Sequence, residues 1–165
     1  MRMIDEEWSR PPTPVGSGVE LRVVAVVPLP AELGGAGEIL ALSAFGSVKL
    51  PSADVRSGET IKRAVSRSVL QMAGVPAIPE RLLYVIEQAG KSLTLCLLCS
   101  LPEDDAPDER PGVRFVPVVG NDSEFEPPAV RELLLEDVRN GFVRPTAFAS
   151  VGWDDEGRER VEVSW

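Results

Sequence analysis

Residues 50–75, LPSADVRSGETIKRAVSRSVLQMAGV, decide how the chain is to be read. They spell a strand end, a tight loop, a Ser57-Gly58-Glu59 helix start, a helix of about four turns and a glycine stop. A serine just ahead of a helix can accept from its free N–H groups, and a glutamate in the first turn suits the helix dipole. Ile61, Ala64, Val65, Val69 and Met72 follow the three-and-four spacing of one buried face. Gly74 followed by Pro76 ends the helix.

Outward from this stretch the chain alternates between strands and one more helix. Residues 1–18 form an irregular lead-in, because Pro11, Pro12 and Pro14 block both helix and ladder pairing. Residues 19–27, VELRVVAVV, alternate and then turn continuously apolar, which predicts a strand covered on both faces. Residues 38–45 make a second strand, and 46–51 lead straight into the helix region. RLLYVIEQ (81–88) and residues 92–101 flank Ala89-Gly90-Lys91, an antiparallel hairpin pattern. LPEDDAPDERPG (101–112) is an exposed, mobile acidic loop, and 113–118 a short strand. In 127–140 prolines open a second amphipathic helix with Val130, Leu133, Leu134 and Val138 on its face and Gly141 at its end. The tail, AFASVGW-DDEG-RERVEVSW, reads as a hairpin with Val161, Val163 and Trp165 on one face. The order of elements predicts an α+β chain, an α/β/α sandwich with a mixed sheet, the domain spanning 19–148 and the hairpin extension 149–165.

Composition narrows the chemistry. At 165 residues one core is expected. A net charge of −9 disfavours nucleic acid and anionic membrane as partners. Histidine is absent, which removes the commonest general base, the triads built on it and the commonest metal ligand. Cys96 and Cys99 have CxxC spacing, but on a strand positions three apart point to opposite faces, so they read as core thiols. No apolar leader precedes the first strand and no run approaches the roughly 20 residues of a membrane helix. The expected location is therefore the cytoplasm.

The central stretch resembles the signature loop-helix of the Nudix (MutT-like) hydrolases, G-x5-E-x7-R-E-U-x-E-E-x-G-U with U aliphatic. Glu59 falls on the first glutamate, Arg67 on the arginine, Val69 on the aliphatic position, and Gly74 and Val75 on the closing pair. The departures are systematic. Ala53 replaces the opening glycine, and Ser68, Gln71 and Met72 replace the other three glutamates. In the family those glutamates hold Mg²⁺ or Mn²⁺ against a diphosphate, so the resemblance implies a Nudix-like fold over 19–148 with the metal-dependent chemistry lost and no cofactor.

Three functions are open. The first is a catalytically silent domain that binds a nucleotide-type molecule, with Lys49, Arg56 and Arg67 as its cations. The second is a divergent hydrolase in which Glu59 acts with Asp54, Glu87 or the acidic loop residues Asp104, Asp105, Asp108 and Glu109, using Mg²⁺ or Mn²⁺. The third is an interaction or homodimerisation module built on the C-terminal hairpin. With the glutamates gone, Arg67 is expected to pair with Glu59.

Overall fold

Val23, Ala25 and Val27 enter one apolar cluster, while Val24 and Val26 enter another. Successive side chains of a strand leave on opposite faces, so this first strand must be covered on both sides. The computed structural model describes residues 18–30, 33 and 37–164. The lead-in through residue 17, with Trp8, and the terminal Trp165 lie outside the described residues.

In chain order the elements are β1 (Glu20–Val26), β2 (Glu38–Ala44), β3 (Ser47–Lys49), β4 (Ser52–Asp54), α1 (Ile61–Ala73), β5 (Ile78–Gln88), β6 (Ser92–Ser100), β7 (Val113–Pro117), β8 (Glu124–Glu126), α2 (Val130–Asn140), β9 (Ala147–Trp153) and β10 (Glu159–Ser164). A six-stranded sheet has the order β10-β9-β5-β6-β1-β4, and a four-stranded sheet the order β7-β2-β3-β8. Both are mixed: β1 runs parallel to β6, β5 to β9 and β3 to β8, and the other pairs are antiparallel. α1 covers one face of the larger sheet with Ala64, Val65, Val69 and Ala73. α2 and the smaller sheet cover the other, through Ile39, Val48, Leu50, Phe125, Val130, Leu133 and Leu134. This is the α/β/α sandwich with mixed sheets that the sequence predicts.

The two cysteines separate as expected. Cys96 belongs to the α2-side cluster and Cys99 to the α1-side cluster. Both thiols are free, and burial pushes their pKa values up, that of Cys99 to about 12.

Several local expectations need correction. β3, β4 and β8 are strands of three residues each. They are too short to show a period, and the β2–β3 turn is Phe45-Gly46, with φ of 50° and 77°. Both central residues of such a turn need positive φ, and phenylalanine there gives no hairpin signal. The helix cap is Thr60, whose side chain accepts from the Arg63 N–H, and not Ser57. Glu59 therefore lies before α1 and not in its first turn. The buried face includes Ser68 and Ala73, with Ile61 and Met72 only half-buried. The acidic loop is exposed, yet it is tied to the end of α1. Asp108 N–H donates to the Ala73 carbonyl, and the Arg110 guanidinium donates to the carbonyls of Gln71 and Met72. A cation at those unpaired carbonyls suits the negative end of the helix. The C-terminal hairpin is continuous with the larger sheet, since β9 pairs with β5. Among the described residues no helix is long and apolar enough to cross a membrane.

One polar cluster joins α2 to the sheet. Asp137 is 2% exposed; it accepts from Tyr84 Oη at 2.5 Å and from Arg144 Nε at 2.7 Å. Arg144 also donates to the Leu133 carbonyl. Burial and the neighbouring carboxylate push the Tyr84 hydroxyl pKa upward, so it stays a donor. Removing one member of a buried ion pair strands the other. Asp137→Ala is therefore expected to cost roughly 3–5 kcal/mol in urea unfolding, and Tyr84→Phe about 1–3 kcal/mol. An Asp137→Ala loss below about 1 kcal/mol would mean the cluster does not anchor α2.

Candidate functional site

The loop before α1 is a turn closed twice. Glu59 N–H donates to the Arg56 carbonyl, and Gly58 takes the positive φ (75°) this turn needs. The Glu59 side chain then folds back, its Oε1 accepting from the Arg56 N–H at 3.1 Å. Both Glu59 oxygens are also gripped by Arg67, through Nε to Oε2 and Nη2 to Oε1, each at 2.9 Å. Arg67 Nη2 donates further to the Asp54 carbonyl at 2.9 Å. The two side chains retain only 18% (Arg67) and 9% (Glu59) of their exposure. The expected pairing is thus a bidentate clasp from helix to loop to strand end. The guanidinium holds the Glu59 carboxyl down to about pKa 2, and raises that of Arg67 in return.

The donor set does not fit the divalent-metal site that the signature's resemblance implies. Ser68 is 2% exposed, and its Oγ donates to the Val65 carbonyl at 2.6 Å. Gln71 is exposed and Met72 half-buried. Mg²⁺ and Mn²⁺ want several oxygen ligands in near-octahedral array, carboxylates foremost. A buried hydroxyl, an amide, a thioether and a carboxylate already bound on both oxygens do not supply them. Among the described residues no three of Asp, Glu, His or Cys gather where they could hold one ion. Asp54 is 73% exposed and paired with Arg22 at 3.2 Å. Glu87 sits on β5, exposed, on the sheet face that α1 covers. Between β5 and β4 lie β6 and β1, three strand spacings or roughly 14 Å in all.

A cleft of about 170 Å³ opens on the other face of the large sheet. Its floor is set by strand register. Parallel pairing of β1 with β6 puts Arg22 beside Thr94, and antiparallel pairing of β5 with β6 puts Ile86 beside Thr94 and Gln88 beside Ser92. Ser52 of β4 stands opposite Val24. Lys49 and Glu126, register partners on β3 and β8, form one wall with the start of α2, and Glu159 of β10 stands at the rim. Among the described residues Lys49 makes no ion pair, although Glu126 is its strand partner.

Of the residues the sequence singles out, the structure brings Lys49 to this cleft and leaves Arg56 and Arg67 outside it. Ala53 lies in the α1-side cluster at 9% exposure, where a side-chain methyl packs and no ligand group is offered. Arg22, Ser52, Thr94, Glu126 and Glu159 also line the cleft, and the sequence alone does not single them out as site residues. The only sequence signal was a polar residue in step with apolar ones, as with Arg22 two before Val24. The strand register that gathers them is not visible in one sequence.

The clasp makes an acid-side expectation. The folded pKa of Glu59 is depressed, so its stabilising effect is complete above the ordinary carboxylate value of 4.5 and is lost as pH falls from there towards 2. The melting temperature of wild type relative to Glu59→Gln should therefore shrink across that window and stay level above it. Parallel curves from pH 6 to 2 would show that the pair does not hold the loop.

No protein-family model matches the sequence, and no curated protein matches it. Solved structures do. A Nudix hydrolase from Nitrosomonas europaea is similar with a TM-score of 0.61 at 16% identity, over 81% of this chain and 77% of that one. An ADP-ribose pyrophosphatase from Streptococcus suis is similar with a TM-score of 0.61 at 13% identity, over 81% and 99%. A MutT protein from Bacillus halodurans gives 0.60 at 9% identity, over 88% and 97%. Identities this low speak to topology alone, and on that evidence the chain has the fold of the Nudix hydrolases.

Proposed function

We propose that this is a binding domain on the Nudix hydrolase fold. It holds a nucleotide or another nucleoside-diphosphate-type molecule in the cleft between its sheets, and it has lost the family's metal-dependent hydrolysis. The observation that carries the reading is the Glu59–Arg67 clasp: the one signature glutamate retained is bound on both oxygens. The cleft, by contrast, keeps two cations that a phosphate can reach. Lys49 is exposed on its wall. Among the described residues Arg22 is held only by an exposed ion pair with Asp54, of the kind that contributes about 0–1 kcal/mol, and it can exchange that partner for a bidentate phosphate. Ser52, Thr94 and Gln88 offer hydroxyl and amide groups to a ribose. At about 170 Å³ the cleft is smaller than the roughly 300–1,000 Å³ of a pocket that encloses a whole ligand. It therefore takes the phosphate-sugar end and leaves the base at the rim.

ADP-ribose is the first probe, given the fold shared with an ADP-ribose pyrophosphatase. Calorimetry with ADP-ribose, nucleoside diphosphates and nucleoside-diphosphate sugars should show saturable binding that EDTA does not change. Lys49→Ala and Arg22→Ala should each weaken it about tenfold, as loss of a charged hydrogen bond implies. The same panel incubated with Mg²⁺ or Mn²⁺ should release no nucleotide or phosphate. Metal-dependent turnover that collapses in Glu59→Gln would replace this reading with the divergent hydrolase. A panel with no binder would reject the cleft as a nucleotide site.

A further inference from the structure

β10 is the outer strand of the six-stranded sheet, six residues long and free of proline. Asp154 N–H donates to the Arg158 carbonyl where the β9–β10 turn closes. Backbone groups of an antiparallel strand face its neighbour and turn away from it at alternate residues. Counting on from Arg158, the residues Glu159, Val161 and Val163 direct their N–H and C=O groups outward. An edge of this length is a template for another strand unless its side chains forbid one.

The side chains on β10 are arranged to select one such strand. Arg160 and Glu162 share a face, where they pair with each other at 3.2 Å and stay 69% exposed. Across β9 they meet only Gly152 and Ser150, which carry no charge. α1 packs on β1, β4 and β5 and leaves this part of the sheet face uncovered. Val161 is half-buried on the opposite face, and Val163 beside it is 40% exposed.

We infer that β10 pairs antiparallel with β10 of a second copy of this chain, about a twofold axis through Val161. The two large sheets then become one. In that register Arg160 of each copy faces Glu162 of the other, Val161 faces Val161, and Glu159 faces Val163. The pairing must keep each side chain on its own face of the sheet, so the neighbouring registers centre on Arg160 or on Glu162. Each of these places like charges directly across the axis, which is unfavourable, whereas the Val161 register places opposite ones there. Charge thus chooses both the partner and the register. The contact is a strand edge, below the roughly 1,200 Å² of a standard interface, so the dimer is weak and exchanging. Because Glu159 also lines the cleft, the second copy stands at its rim.

Sedimentation of the full chain at loadings from about 10 μM to about 1 mM tests this, since that range registers even a millimolar dimer. The mass should rise from 17.8 kDa towards twice that value and fall back in high salt. Arg160→Glu should weaken the dimer at least about tenfold by opposing two glutamates. Arg160→Glu combined with Glu162→Arg should restore it, since the exchange recreates both pairs. Far-UV circular dichroism checks that each variant folds, and Glu162→Arg makes the same clash should Arg160→Glu not fold. A monomer across the whole range overturns the inference. So does a dimer of equal strength in Arg160→Glu, which would place the contact on another surface.

Discussion

The bidentate grip of Arg67 on Glu59 is the constraint around which this molecule is arranged. It ties three parts of the chain that are not held by strand pairing alone: the end of β4, the turn at Arg56 to Glu59, and the second turn of α1. A charge-assisted pair with both hydrogen bonds formed, largely shielded from water, is worth more than an exposed one. It also occupies the carboxylate. Two oxygens that accept from a guanidinium and a backbone N–H have little left for a cation. Ser68 is sealed in the core under α1, Gln71 is exposed and Met72 half-buried.

The central sheet separates this clasp from the cleft. α1 lies on one face and the cleft opens on the other, floored by residues that strand register brings side by side. Substitutions on α1 therefore need not disturb the cleft. Asp54 links the two, its carbonyl accepting from Arg67 and its carboxylate pairing with Arg22, which lines the cleft. A phosphate that takes Arg22 would release that carboxylate while the backbone bond stays. On the far side, buried Asp137 links α2 to β5 through Tyr84 and so holds the wall of the cleft in place.

Much of the fold was legible in the residues, and for identifiable reasons. α1, α2 and their glycine stops show the helical period, and Gly74 and Gly141 both take the left-handed conformation at the helix end. The β5–β6 hairpin shows a clear turn and two long strands, and the split of Cys96 from Cys99 follows from strand geometry alone. β3, β4 and β8 were not legible because three residues carry no period. Sequence places the helix start at Ser57 because serine is by type the better cap, whereas the turn at Gly58 leaves Thr60 to cap α1. Asp137 was missed because a charge in step with a helix's apolar face reads as an exception until Tyr84 and Arg144 are seen to meet it. At the site, Lys49 was singled out for its closeness to the signature. Arg22 and Thr94 are far apart in the chain, and only the parallel β1–β6 register joins them.

On the proposed reading Glu59 serves as a structural clasp and not as a metal ligand. Titration of the protein with Mn²⁺, followed by the electron paramagnetic resonance signal of the free ion, tests it without depending on any substrate. The free-ion signal should grow almost as in buffer, with weak uptake by surface carboxylates that is the same in wild type and Glu59→Gln. A saturable Mn²⁺ site present in wild type and lost in Glu59→Gln would contradict it.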